Sequence, residues 1–348
     1  MKKIIFLLFA LIATANLNAQ VVEIYENDAL IGTYFDCRSH RYKVSFKNSD
    51  ASATTADDNS VEQIELYENG SLLQTYQNTT DKTYKVVFRE RDYVEIGGVK
   101  WATMNVGATT VSDAAESCFG DYYAWGEVVP YYKSITYDGD TQTINWSDEE
   151  NSLTHVKGKK TGYDWSNYCG STSFTEWSSV PYNSSTMNLT LDNDAANYEW
   201  GGSWHTPTSA EFTALFNACG KNANTKIYVL SNNTVTEGGI YRILKGEVVD
   251  GTTYNVGGIL FVDKTDIKKR VFFPAQGQIM QTSFVYSTGD NPTSNRYWTA
   301  TCNSKNVSQA GQFIAVPTAT SANNSEYGPV QVTSYFNRFI GRPIRPVR

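Results

Sequence analysis

Side chains able to carry chemistry are thinly spread along this chain. The three histidines are His40, His155 and His205, and none stands beside a GxSxG elbow or within an HExxH motif. An activated nucleophile with its base is therefore not signalled. Cys37, Cys118, Cys169, Cys219 and Cys302 include no close pair, and neither they nor the histidines keep zinc-ligand spacing. An oxidising compartment would allow one disulfide among the last four, but buried free thiols are the plainer reading. Carboxylates gather at Asp148, Glu149 and Glu150 and again at Asp192 and Asp194. Two carboxylates can cleave a glycosidic bond, but a solvated acidic loop and a turn or cap are the expected roles. Calcium takes several oxygens, which Asp138, Asp140, Asp148, Asp192 and Asp194 could offer, yet no EF-type spacing supports it. No catalytic residue, metal ligand or cofactor is assigned.

The elements that would position any site are mostly strands. Tyr, Thr, Val, Asn, Ser and Gly are abundant and helix formers sparse, a balance that suits strands and turns. The formal charge is -7, with no Lys/Arg cluster; nucleic acid, which needs clustered cations, is not an expected partner. Lys2 and Lys3 precede an apolar run over residues 4–13, and Leu17 and Ala19 lead to Gln20. That layout predicts a signal peptide over residues 1–19 and an exported chain, at the cell surface, outside the cell or in the periplasm. The run is shorter than the ~20 residues a membrane-spanning helix needs, so no transmembrane segment is expected.

Sliding the chain on itself exposes a repeat. Residues 23–46, EIYENDALIGTYFDCRSHRYKVSF, align without gaps on residues 65–88, ELYENGSLLQTYQNTTDKTYKVVF. Tyr25/Tyr67, Tyr34/Tyr76, Tyr42/Tyr84 and Phe46/Phe88 are among the identical pairs. Each copy predicts a small β-meander: a strand, a Glu-Asn-Asp or Glu-Asn-Gly turn, a second strand, and an alternating Tyr-Lys-Val-x-Phe third strand. The units are expected at 20–46 and 61–90, with a polar linker at 47–60.

From residue 91 onward the repeat stops and aromatics punctuate short segments. Residues 131–188 read as a long polar insertion without periodicity. Thr208 and Glu211, followed by Phe212, Leu215, Phe216 and Cys219, predict a capped amphipathic helix. VFFP at 271–274, YWTA at 297–300, QFIAV at 312–316 and IRPV at 344–347 each read as strands. Pro343 and Pro346 would confine the last to an edge or bulge.

In order along this region run VKWATMNVGA, GDYYAWGE, LDNDAANYEWGGSWHTPTSAEFTAL, FFPAQG, YWTAT and GRPIRPV. Together these blocks resemble the major paralogous domain named after Fibrobacter succinogenes, abundant in exported proteins of gut Bacteroidetes. His205 stands where that family often has Arg. The resemblance implies a C-type-lectin-like fold over residues 91–348, distantly similar to formylglycine-generating enzymes. The close cysteine pair on which those enzymes depend is not among the five cysteines here. The overall fold class is thus α+β and β-rich, a C-type-lectin-like domain preceded by two repeated β-meander units. The resemblance also implies that the first strand, near Tyr93, lies beside the last, and that irregular loops present a binding face.

Trp101, Trp125, Trp200, Trp204 and Trp298 fall inside the blocks and are expected in the core. A ligand face is expected from Trp146, Trp165, Tyr168 and Trp177 in the insertion and from Tyr297, Asn303, Tyr335, Asn337 and Arg338 near the end. Those types combine aromatic faces with polar donors, as a neutral sugar or polar protein surface requires. The expected function is a non-catalytic exported binding protein for a glycan or a host or bacterial surface protein. Its narrower form is an adhesin or pilus-associated subunit that also meets other surface subunits. An extracellular enzyme acting on glycans or proteins, or a purely structural surface component, are the alternatives.

Overall fold

The computed structural model describes residues 20–36, 41–48, 61–108, 118–130, 132–138, 141–146, 182–220, 226–280, 283–285, 295–306, 309–315 and 326–348. Two units emerge: the first takes the chain up to Arg91 with Glu199–Gly202, the second Asp92–Tyr198 and Ser203–Arg348. The fold class is α+β and β-rich, with α-helix confined to two short stretches among the described residues. No helix among them is long and apolar enough to cross a membrane.

The first unit contains β1 (Gln20–Glu26), β2 (Ala29–Phe35), β3 (Tyr42–Asn48), β4 (Val61–Glu68), β5 (Ser71–Gln77) and β6 (Tyr84–Glu90). Each copy opens with a two-residue hairpin turn whose central residues both have positive φ, Asn27 with Asp28 and Asn69 with Gly70. That geometry matches the twist of the flanking strands. The copies do not close as separate meanders, as the sequence predicts. The sheets have the orders β2-β1-β6 and β3-β4-β5, so each hairpin is completed by the third strand of the other copy. Val22 lies opposite Phe88, and its counterpart Ile64 opposite Phe46.

Polar contacts repeat with the same exchange. Tyr42 donates to Glu68 at 3.1 Å and Tyr84 to Glu26 at 2.8 Å. The two sheets share one core of Val22, Ile24, Ile64, Leu66 and Val86, flanked by both sets of tyrosines. Crossing between sheets sets Tyr34 against Tyr42 and Tyr76 against Tyr84, at 5.3 and 5.2 Å between ring centres. The exchange has a physical reason: one three-stranded copy buries too little apolar surface to stand alone, whereas two interlocked copies enclose a common core.

The second unit starts with the hairpin β7 (Tyr93–Ile96) and β8 (Val99–Ala102). Gly97 in its turn has φ +65°, and a Cβ there would meet the Ala214 carbonyl oxygen at 2.7 Å. The stretch read as an unpatterned insertion contains a further hairpin, β9 (Tyr132–Asp138) and β10 (Thr141–Trp146). Then come β11 (Tyr182–Asn183), β12 (Asn188–Leu189), α1 (Ala195–Trp200), α2 (Ser209–Ala218), β13 (Lys226–Val229) and β14 (Gly239–Ile243). They are followed by β15 (Val248–Val249), β16 (Thr252–Thr253), β17 (Gly258–Val262), β18 (Arg270–Pro274), β19 (Gln278–Met280) and β20 (Ser283–Val285). The last strands are β21 (Asn295–Cys302), β22 (Gln309–Ala315) and β23 (Glu326–Asn337).

The main sheet has the order β11-β12-β21-β22-β23-β13-β14-β17-β18. It is antiparallel except where β13 meets β14. Its β14-β17-β18 end is covered on both faces. Ile259 and Phe261 pack with Phe212, Leu215 and Phe216 of α2. The alternate Leu260 and Val262 pack with Tyr241, Tyr254 and Phe272 on the other side. Two buried faces explain why Gly-Ile-Leu-Phe-Val is apolar throughout rather than alternating.

The predicted meeting of the domain's ends is present, with a change of partner. Lys100 of β8 and Arg348 exchange backbone hydrogen bonds, and Ala102 N–H donates to the Pro346 carbonyl. The terminal residues 338–348 are not a regular strand, as read from the sequence. They meet several elements in turn: Trp125 donates to the Arg338 carbonyl, Val106 to that of Ile344 and Trp298 to that of Pro343. Gly341 pairs with Ile279, and Val347 with His205. The prolines here serve through their carbonyls, a role that needs no N–H.

Candidate functional site

A set of coupled ionisable groups lies between α1 and α2. Asp194 precedes α1 and accepts from the backbone of Ala196 at 2.9 Å, and from the Thr206 backbone and hydroxyl at 2.7 and 2.6 Å. Burial pushes its carboxyl above the usual range, against the pull of these donors. Next along the chain, His205 bonds through Nδ1 to the Ser203 carbonyl and through Nε2 to Glu211 Oε1, each at 2.9 Å. Glu211 also closes the capping box of α2 with Thr208. Burial disfavours a charge on His205, but the bonds to Glu211 and Ser203 outweigh it and raise its pKa to about 9. The imidazole is therefore protonated at neutral pH, with both nitrogens donating. It cannot take a proton as a general base there. These groups seam α1, α2 and the C-terminal segment together, and Asp194 has the capping role read for it.

The tryptophans of the sequence blocks, Trp101, Trp125, Trp200, Trp204 and Trp298, are all buried. Trp125 Nε1 donates to the Thr299 carbonyl and Trp298 Nε1 to the Tyr123 carbonyl, both at 2.8 Å. Against buried aromatic rings lies a series of arginines, of which Arg338 alone was among the residues expected at a ligand face. Arg338 is 4.3 Å from the Trp125 ring centre, Arg342 4.5 Å from Trp298, Arg345 4.9 Å from Phe273 and Arg348 5.0 Å from Trp204. Their three- and four-residue spacing in RFIGRPIRPVR was the visible signal. Cys118, Cys219 and Cys302 are buried free thiols.

The predicted ligand residues divide. Tyr297 is wholly buried, donates to the Pro274 carbonyl at 2.7 Å and accepts from Asn105 at 3.1 Å. Arg338 is equally buried, against Trp125. Neither faces a ligand at the surface; both belong to the core, because the strand end and C-terminal segment carrying them fold inward. Asn303 is nearly buried and shapes the turn after β21. It accepts from Lys305 N–H at 2.9 Å and donates to Gln309 Oε1 at 3.1 Å. Tyr335 is 38% exposed, and Asn337 is half-buried. Trp165, Tyr168 and Trp177 lie outside the described residues, as does the side chain of Trp146, whose backbone ends β10.

What these positions leave is a polar rim at one end of the main sheet. Gln309 pairs with Asn337 across β22 and β23. Asn303 N–H donates to the Gln309 carbonyl, and Gln309 N–H to that of Asn306. Ser304, Lys305 and Asn306 are exposed in the turn, on the same strand ends that carry Tyr335 and Asn337. The rim offers amides, a hydroxyl, an ammonium and one phenol ring. Among the described residues no group of three or more His, Cys, Asp and Glu is placed to hold a metal ion. In comparisons with known proteins, no family model, curated protein or solved structure matches this chain.

Proposed function

We propose that this chain is an exported, non-catalytic binding protein of the cell surface. Its second unit would recognise a glycan or a polar protein surface through the rim at Ser304, Lys305, Asn306, Tyr335 and Asn337. The observation that carries the reading is this rim, where the exposed turn residues Ser304, Lys305 and Asn306 adjoin the paired strand ends that carry Tyr335, 38% exposed, and the half-buried Asn337. An aromatic face beside fixed polar groups suits a sugar ring or a peptide surface. Resemblance of the sequence blocks to the Fibrobacter succinogenes paralogous domain supports the same reading, with a C-type-lectin-like fold and an adhesin or pilus-associated role. The signal-peptide layout of residues 1–19 supports export. His205, held protonated, adds weight against base catalysis at the one His–Glu cluster described.

The test is an array of glycans and surface proteins probed with the mature chain. Wild type is expected to bind at least one class, and the pair Tyr335→Ala and Asn337→Ala to lose at least tenfold in affinity with an unchanged melting temperature. Binding that survives both substitutions unchanged refutes the rim.

A further inference from the structure

Among the described residues, the guanidinium of Arg342 in the C-terminal segment is left largely without acceptors. It is wholly buried. Its Nη2 donates to Gln278 Oε1 at 3.0 Å, while Nε and Nη1 have no hydrogen-bond acceptor among the described residues. Arg345, also wholly buried, differs: it donates to the carbonyls of Ala102 and Phe272 at 3.0 Å each. Among the described residues no carboxylate forms an ion pair with Arg342. A charge that does act on it is that of Arg296, of the same sign. Arg296 and Trp298 alternate along β21 and so share a face of the strand, and Arg342 lies over the Trp298 ring.

The rings of Trp298 and Phe336, 4.5 and 4.8 Å from the guanidinium, attract the positive charge. They are no substitute for acceptors at Nε–H and Nη1–H, since a guanidinium is a donor only. A buried, unpaired cation is among the costliest groups a core can hold. Burial and Arg296 together press Arg342 far down from its ordinary pKa. A bound negative charge would relieve both effects at once.

We propose that a small monovalent anion of the halide class binds in the interior of the second unit. It would accept from the Nε–H or from the Nη1–H of Arg342, which point to opposite edges of the guanidinium, and be drawn further by the positive charge of Arg296. Complete burial of Arg342 restricts the occupant to a single small ion. A sugar, a peptide or a partner's side chain would have to displace the core to reach it. This site is separate from the proposed rim, and neither reading depends on the other.

Two measurements test it. Crystals of the full mature chain grown in bromide should give an anomalous peak within hydrogen-bonding reach of Arg342 Nε or Nη1. A site holding only water, or Arg342 paired with a carboxylate, overturns the proposal. In solution, wild type should melt several degrees higher in chloride or bromide than in gluconate at equal ionic strength, because an ion bound only by the folded state stabilises it. Gln278→Glu supplies a carboxylate at the atom Arg342 already meets, so this variant should fold and lose the halide-specific rise. Arg342→Met should lose it too. A rise that persists undiminished in Gln278→Glu overturns the proposal even if Arg342→Met fails to fold.

Discussion

His205 shows how far residue type alone could mislead. A histidine beside two acidic side chains is the usual raw material for proton transfer. Here both ring nitrogens are committed to acceptors, and the pKa of about 9 leaves the ring cationic. That shift has a signed consequence for stability. Because the folded pKa lies above the ordinary 6.5, the contribution of His205 is complete below about pH 6.5. It is lost as pH rises through about 9. Glu211 acts in the opposite direction: burial alone would raise it, but the bonds from His205 and Thr208 hold it below 4.5. Its share is present above that value and is lost as pH falls through its lowered pKa. Chemical denaturation between pH 6 and 10 should show wild type weakening across the upper window and His205→Gln staying nearly flat there. A wild-type curve as flat as that of the variant would contradict the paired geometry. Thr208→Ala, which removes the cap hydroxyl from Glu211 N–H, should cost about 1 kcal/mol, read from the same titrations at pH 7.

Among the elements, legibility followed the range of the interactions. Helix α2 was legible because its signals are local: Thr208 and Glu211 form the capping box, and Phe212, Leu215 and Phe216 fall on one buried face. Strands β18, β21 and β22 were legible from short apolar runs between turn residues. Hairpin β9–β10 escaped because Lys-Ser-Ile-Thr-Tyr-Asp and Thr-Gln-Thr-Ile-Asn-Trp carry few apolar residues. The exchange in the first unit could not be read at all. The third strands are so alike that either pairing satisfies the same alternation, and only three-dimensional packing chooses between them. This exchange predicts that the repeats stand or fall together. Leu66→Ala removes a wholly buried side chain from the shared core and should cost about 2–5 kcal/mol. Hydrogen exchange followed by mass spectrometry should then quicken in β1 and β6 as well as in β3, β4 and β5. Loss of protection confined to the sheet that contains Leu66 would mean that the copies are energetically separate.

At the scale of the whole molecule, the final eight residues do the work that a closing strand does in a simple sheet, but by scattered contacts. Gly341, Pro343, Ile344, Pro346, Val347 and Arg348 together reach Ile279, Trp298, Val106, Ala102, His205 and Lys100. Ile344 and Val347 insert into two different cores of the second unit. Arg342 and Arg345 are buried among aromatic rings. The sequence pointed to this closure through the resemblance of its end blocks, but it could not reveal that the segment binds through proline carbonyls and stacked guanidinium groups. Ending the chain at Ile340 would leave backbone groups of several elements unpaired and hollow both cores, a loss far larger than one ordinary substitution. The first unit keeps its own core of Val22, Ile24, Ile64, Leu66 and Val86, none of which lies in the deleted stretch. Limited proteolysis of the truncated chain should therefore digest residues 92–340 quickly and spare a fragment ending near Arg91. Calorimetry should show the second unit's transition gone and the first unit's retained. If the truncated chain melts with both transitions intact, the terminal segment is an appendage and not the closure of the domain.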